Sequence, residues 1–200
     1  QMTGAEVLEH MIKKAASAKG GFEPNTGYNY PQLISKFAMG AVFYNQAVDG
    51  YLDEKLGADS KPNGKPYKDG AYYTGKEHVW DEGFGYWGAA AHQHGFDPNK
   101  VYEIAKMKNQ GVADKNGDGM VDLKSEYVFG PTYYAAAFDR SGTKSTDYTN
   151  TIYNAFLDGR KLITAAAGDA LSDSERSKLK SYAASIEENW EKVLAEAVFK

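Results

Sequence analysis

Oxygen-bearing side chains fall on alternate positions in Asp114-Lys115-Asn116-Gly117-Asp118-Gly119-Met120-Val121-Asp122. The run fits D-x-[DN]-x-[DN]-G-x-x-D, whose oxygens at positions 1, 3 and 5 converge when the backbone wraps round a hard cation. Gly119 at position 6 permits the sharp turn, Met120 at position 7 offers its carbonyl, and Asp122 at position 9 binds directly or through water. The ion expected is calcium, which takes about six to eight oxygens. An EF-hand closes with a bidentate Glu at position 12, where this chain has Ser125, with Glu126 one place later. Either the loop is one residue longer and Glu126 completes the shell, or Asp122 supplies the closing carboxylate. Gly111 interrupts the helix that would lead in, so the reading is a calcium loop of EF-hand type without a standard helix–loop–helix. The plainer alternative is a surface turn rich in Asp, Asn and Gly.

A second concentration of chemistry is Glu77-His78-Val79-Trp80-Asp81-Glu82-Gly83-Phe84-Gly85-Tyr86-Trp87-Gly88. On a helix Glu77 faces Asp81, and His78 faces both Asp81 and Glu82. An imidazole beside carboxylates suits a transition metal such as iron or zinc, or a proton-transfer pair. His92 lies fourteen residues after His78, nearly on the same face. In the plainer reading, Glu77 and Asp81 complement the helix N-terminus and His78 is a hydrogen-bonded packing residue. Three glycines within a helix cost about 1 kcal/mol each relative to alanine, which calls for close helix packing or a ligand at that face. Arg160, alone in an apolar helix, can clamp a carboxylate in bidentate fashion. The expectation is one polar cluster joining Arg160 to Glu77, His78, Asp81 or Glu82.

The elements that must position these groups read as helices. Thr3 caps a first helix over about residues 5–18, whose stripe is Val7, Leu8, Met11 and Ile12. Gly20-Gly21 stops it. Pro31 opens a second helix. Its apolar positions, from Leu33 through Phe37 and Tyr44 to Tyr51 and Leu52, are so wide a set that burial on more than one side is expected. Gly57 is its expected stop, and a polar loop rich in Lys, Gly and Pro follows to Gly75. A third helix is expected over about 76–94, a fourth from the Asp97-Pro98 cap to about Asn109, and a short one around 133–138. A further helix spans about 148–168. Ser172 with Glu175 forms a capping box for a last helix, which carries Leu179, Tyr182, Ile186, Trp190 and Val193. That helix has no stop signal before Lys200, so the expected chain is one helical domain over residues 1–200, the N-terminal fragment of a longer one. No repeat and no strong strand pattern is present.

Composition narrows the function classes. With 42% apolar residues the chain can build a core. Its 15 Tyr place rings inside and hydroxyls at wet edges. Net charge is −4 with no Lys/Arg run, which argues against nucleic acid as partner. The apolar runs reach about ten residues, too short to span a bilayer, and no signal peptide is visible. Absence of cysteine excludes disulfides and thiolate metal sites. H-E-x-x-H, a serine nucleophile elbow and a catalytic Cys are also missing.

Four stretches together resemble the DUF4856 family. They are residues 33–46 (Leu33 to Gln46), residues 77–86 (Glu77 to Tyr86), the run from Asp118-Gly119 through Asp122 to Glu126-Tyr127, and Phe156-Leu157-Asp158-Gly159-Arg160. The likeness spans most of residues 30–200. It implies an all-α, irregular helical bundle of imelysin-like architecture, in bacterial proteins that are exported to the periplasm or cell surface, some as lipoproteins, with no established function. Imelysins carry G-x-H-x-x-E. Gly75, His78, Asp81 and Glu82 approximate it, with two residues in place of one between Gly and His. Family chains run on past the equivalent of Lys200, so the rest of the parent chain is an expected partner. The function expected first is a non-catalytic, calcium-stabilised domain that associates with metal or ligand. The alternatives are a metallohydrolase using Glu77, His78, Asp81 and Glu82, and a surface module whose Tyr-rich loops contact a glycan or a protein.

Overall fold

A computed structural model describes residues 1–56, 61–141 and 145–199. The stop expected at Gly57 and the terminal Lys200 lie outside them. Eight α-helices are found among the described residues: α1 (Gly4–Ser17), α2 (Tyr30–Ala38), α3 (Gly75–Trp87), α4 (Pro98–Ala105), α5 (Gln110–Ala113), α6 (Gly130–Asp139), α7 (Tyr148–Ala165) and α8 (Asp173–Phe199). The only ladder there is a two-residue hairpin, β1 (Phe22–Glu23) against β2 (Tyr28–Asn29), antiparallel with Phe22 opposite Asn29. The protein is therefore mostly helical, and no helix is long and apolar enough to cross a membrane among the described residues.

Local chemistry sets the helix starts. Thr3 and Glu6 form a capping box on α1, Asn29 caps α2 with Pro31 in its first turn, and Asp97 caps α4 ahead of Pro98. Ser172 and Glu175 exchange backbone bonds ahead of α8. Each such pair satisfies N–H groups that the first helical turn leaves without partners.

The rod that begins as α2 continues through two wider-wound stretches, Met39–Tyr44 and Gln46–Lys55. Its burial is uneven. Ala47, Val48, Tyr51 and Leu52 are buried, whereas Leu33 and Val42 are exposed. The wide apolar face is thus used in full only in its second half, which packs on α3; the first half packs on α1, itself with no buried residue.

Two cores result. The larger holds Leu52, Trp80, Trp87, Ile152, Phe156, Ile186 and Trp190, at the junction of the long rod, α3, α7 and α8. The smaller holds Ala90, Val101, Ile104, Ala113, Val128 and Ala136. It sits under the segment that carries the expected calcium loop.

The third helix ends at Trp87 rather than near His94. Gly88 adopts a left-handed conformation with φ +78°, and the Phe129 backbone carbonyl occupies the space a side chain there would need. The fourth ends at Ala105, followed by Met107 at φ +53°. The helix expected at 133–138 is longer, Gly130–Asp139. At the far end of α8, Val198 and Phe199 are exposed.

Candidate functional site

α3 begins with a buried carboxylate in two roles. Glu77 Oε2 accepts the Thr74 backbone N–H at 2.8 Å, and the Glu77 N–H donates back to Thr74 Oγ1 at 3.1 Å. This capping box frees the other oxygen to face α7. There Oε1 accepts from Arg160 Nη1 at 2.6 Å and from Thr164 Oγ1 at 2.9 Å. One helical turn on, Asp81 Oδ1 accepts from Arg160 Nε at 2.8 Å. The guanidinium is also hydrogen-bonded to Thr164, four residues along its own helix. Glu77 is nearly buried (6% side-chain exposure) and Arg160 partly so (30%), so the Glu77 bond is the better shielded. Burial alone would raise the Glu77 pKa. The Thr74 N–H, the Thr164 hydroxyl and Arg160 outweigh it and hold the carboxyl below its ordinary value.

The expected cluster therefore divides. Glu77, Asp81 and Arg160 come together. His78 turns the other way, with its ring 3.9 Å from that of Tyr67 and 5.7 Å from that of Tyr73. Its Nε2 lies 3.5 Å from Glu82. His92 is not on this helix; its Nε2 is 3.1 Å from the Val112 carbonyl oxygen, beside the smaller core.

Several contributors carry little signal in the sequence. Thr74 and Glu77 form a T-x-x-E capping signature hidden behind Gly75, which reads as a breaker. Thr164 was legible only as an i+4 neighbour of Arg160. Asn63 carries no local signal, yet it is buried and bridges Thr74 Oγ1 (2.8 Å) to the Ile163 carbonyl oxygen (3.0 Å).

The glycines of α3 have distinct reasons. A side-chain carbon at Gly83 would sit 3.4 Å from Leu52 Cδ2 and 3.5 Å from Phe156 Cε1, so Gly83 allows close helix contact. At Gly85 nothing lies within 4 Å. Gly159 of α7 lies against the Trp80 ring, and Trp80 Nε1 donates to the Phe156 carbonyl oxygen at 2.8 Å. Beside this contact a cavity of about 170 Å³ opens between α3 and α7. Its apolar walls include Trp80, Phe84, Tyr153, Phe156 and Leu157, and its charged lining is Asp81 and Arg160.

The second candidate is the loop Asp114–Glu126. Asp114 Oδ1 accepts the N–H groups of Gly117 (2.7 Å) and Asp118 (3.2 Å), and Oδ2 accepts that of Gly119 (2.8 Å). Asn116 Oδ1 takes the Asp118 N–H and Asp118 Oδ1 takes that of Met120. Positions 1, 3 and 5 thus each bend the backbone inward through side-chain turns. Glu126, 4% exposed, closes the loop. Its Oε1 accepts from the N–H groups of Lys115 and Asn116 (2.9 and 3.1 Å), and its Oε2 from that of Asp122 (2.9 Å). One-turn α5 leads in and α6 begins only at Gly130, so no helix pair of EF-hand length flanks the loop. Its donors are all oxygens, which suit a hard cation. In this conformation those carboxylates are directed at backbone N–H groups. Among the described residues no three His, Cys, Asp or Glu side chains are grouped so as to hold a metal ion.

The two sites are mechanically joined. The Ala91 N–H donates to the Ser125 carbonyl oxygen at 2.8 Å, the Phe129 N–H to that of Gly88 at 3.0 Å, and Thr132 Oγ1 to that of Trp87 at 2.6 Å. The end of α3 is thereby tied to the segment that closes the loop.

A family model described as a domain of unknown function, DUF4856, matches residues 12–172. The chain belongs to the DUF4856 family. The match takes in α3, the acidic loop and Arg160, begins earlier than the likeness expected from residue 30, and ends at Ser172, the cap of α8. Comparison with curated proteins and with solved structures returns no match.

Proposed function

We propose that this DUF4856 domain is an exported, non-catalytic helical domain of imelysin-like architecture that binds one calcium ion at Asp114–Glu126. The observation that carries the reading is Glu126. Its carboxylate is nearly buried, no basic side chain pairs with it among the described residues, and it gathers the backbone at both ends of the loop. Backbone N–H groups satisfy that carboxylate, and the loop it closes carries Asp114, Asp118 and Asp122, whose like charges a cation would offset. Calcium would draw on the side chains of Asp114, Asn116, Asp118, Asp122 and Glu126 and on the Met120 carbonyl. The ion's part is structural: it pins the loop that seeds the smaller core.

The geometry of α3 favours this over a metallohydrolase. Arg160 already takes Glu77 Oε1 and Asp81 Oδ1, the oxygens with which the pair would bridge a metal ion. His78 lies against two tyrosine rings. Export and the periplasmic or cell-surface location rest on the family resemblance, and fractionation of cells making the parent protein tests them.

The test of calcium is thermal melting with elemental analysis. Saturation at about 100 times the Kd stabilises a one-site protein by about 2.7 kcal/mol, which is about 5–10 °C in Tm at this size. Protein purified without chelator should carry calcium and lose that increment in EGTA. An unchanged Tm together with no bound calcium sinks the reading. Bound iron or zinc in its place favours the metal-handling alternative.

A further inference from the structure

The cavity between α3 and α7 lies outside the calcium loop, and its polar atoms are unequally engaged. The Tyr153 hydroxyl donates to the Ala91 carbonyl oxygen at 2.7 Å, and the Trp80 N–H is taken by Phe156. Arg160 commits Nε to Asp81 and Nη1 to Glu77 and Thr164. Among the described residues, nothing donates to Asp81 Oδ2. Asp81 is also the more open of the two carboxylates, with 52% side-chain exposure against 6% for Glu77. The lining therefore offers an apolar body of aromatic rings and one free carboxylate oxygen at its charged edge.

Charge decides what fits. Arg160 contributes one positive charge, while Glu77 and Asp81 contribute two negative ones within hydrogen-bond distance of it. An anion would meet a guanidinium already paired with two carboxylates. A cation meets Asp81 at the lining, in a Glu77–Asp81–Arg160 cluster of net charge −1, together with aromatic walls, and both attract it. Size limits the body: an apolar cavity of about 150 Å³ accommodates a benzene ring, and this one is about 170 Å³.

We propose that this cavity binds a small organic ammonium, a primary amine on a single aromatic ring or a branched aliphatic body, with the ammonium on Asp81 and the body against Trp80, Phe84 and Phe156. Glu77 serves as a positioning residue. It holds Arg160, so that the guanidinium fixes Asp81 without cancelling the site's negative charge.

The experiment is an NMR titration of the calcium-saturated chain with benzylamine, benzyl alcohol and benzoate, which share a ring and differ in charge. Benzylamine should bind about tenfold tighter than the alcohol, the scale of one partly exposed ion pair plus a cation–π contact. Benzoate should be weakest. Resonances of Trp80, Phe84 and Leu157 should move first. D81N should bring benzylamine down to the level of the alcohol with Tm kept, because Glu77 still holds Arg160. L157W, which fills the cavity, should abolish binding of all three. If D81N does not fold, the order of the three ligands on the unaltered chain decides. Equal binding of amine and alcohol, preference for benzoate, or no saturable binding of any ligand overturns the proposal.

Discussion

The Trp80 indole presses its Cζ2 side against α7 at Gly159, where the ring fills the space a side chain would need. The contact sets the separation of α3 and α7 and, with it, the width of the cavity and the reach of Arg160. The indole N–H also satisfies a second acceptor role of the Phe156 carbonyl, so the packing contact and the polar contact reinforce each other.

Gly159→Ala should therefore destabilise the domain although alanine is the better helix former. The added methyl overlaps a fully buried ring, and overpacking of this kind costs about 1–3 kcal/mol. A calorimetric Tm lowered by several degrees is the expected result. An unchanged or raised Tm would show that α3 and α7 can separate to admit the methyl group.

Glu126 and Asp122 should separate structural from ion-dependent stability. Glu126→Ala leaves the N–H groups of Lys115, Asn116 and Asp122 without their acceptor, which costs about 1–3 kcal/mol with or without calcium. Asp122→Asn keeps an oxygen for the Lys124 N–H, an acceptor role that Asp122 Oδ1 fills at 2.6 Å. It should melt like the unaltered chain in EGTA and gain less from calcium. Identical behaviour of the two variants in EGTA would remove Glu126 from its closing role.

The Glu77–Arg160 pair should be visible in the acid limb of stability. The folded pKa of Glu77 lies below its unfolded value. Its contribution is therefore complete above the unfolded value of about 4.3 and is lost as pH falls through the folded one. Glu77→Gln should cost roughly 1–3 kcal/mol at pH 7, less than a wholly buried pair because Arg160 is partly exposed. At acid pH the gap to the unaltered chain should narrow. Denaturant unfolding at a series of pH values measures this, and a pH-independent gap would contradict it.

His78 should behave as a ring rather than as a ligand. Its contacts with Tyr67 and Tyr73 are each worth about 0.5–1.5 kcal/mol beyond area burial. His78→Ala should lower Tm while metal content stays the same, and His78→Phe should recover most of the loss. Metal lost from His78→Ala with Tm intact would restore the metal-site reading of α3.

What the sequence made legible was local. The Ser172–Glu175 box, the Thr3 and Asp97 caps and the oxygen spacing of Asp114–Asp122 depend on neighbours within a few residues, and the chain alone carries them; the Asn29 cap ahead of Pro31 is visible only in the structure. Arg160 was found at long range because a lone arginine in an apolar helix needs a counter-charge. Three glycines near Glu82 look alike in sequence, yet Gly83 serves helix packing, Gly85 touches nothing, and Gly88 ends the helix. Only the tertiary fold, which brings Leu52, Phe156 and the Phe129 carbonyl to them, distinguishes the three. Helical spacing gives His78 its Glu82 neighbour, 3.5 Å away, but not Tyr67 and Tyr73, which arrive on a loop that has no periodicity to read.

The division into two cores has an optical consequence. Trp80, Trp87 and Trp190 all belong to the larger core, with the Trp87 and Trp190 rings 4.9 Å apart, and the smaller core contains no tryptophan. Indole emission excited at long wavelength will follow the larger core almost alone. Loosening of the Asp114–Glu126 side would leave that signal nearly flat while tyrosine signals from Tyr102, Tyr127 and Tyr133 change. A fluorescence melt and a far-ultraviolet melt that fail to superimpose in EGTA, yet coincide in calcium, would thus be the spectroscopic signature of the smaller core unfolding first.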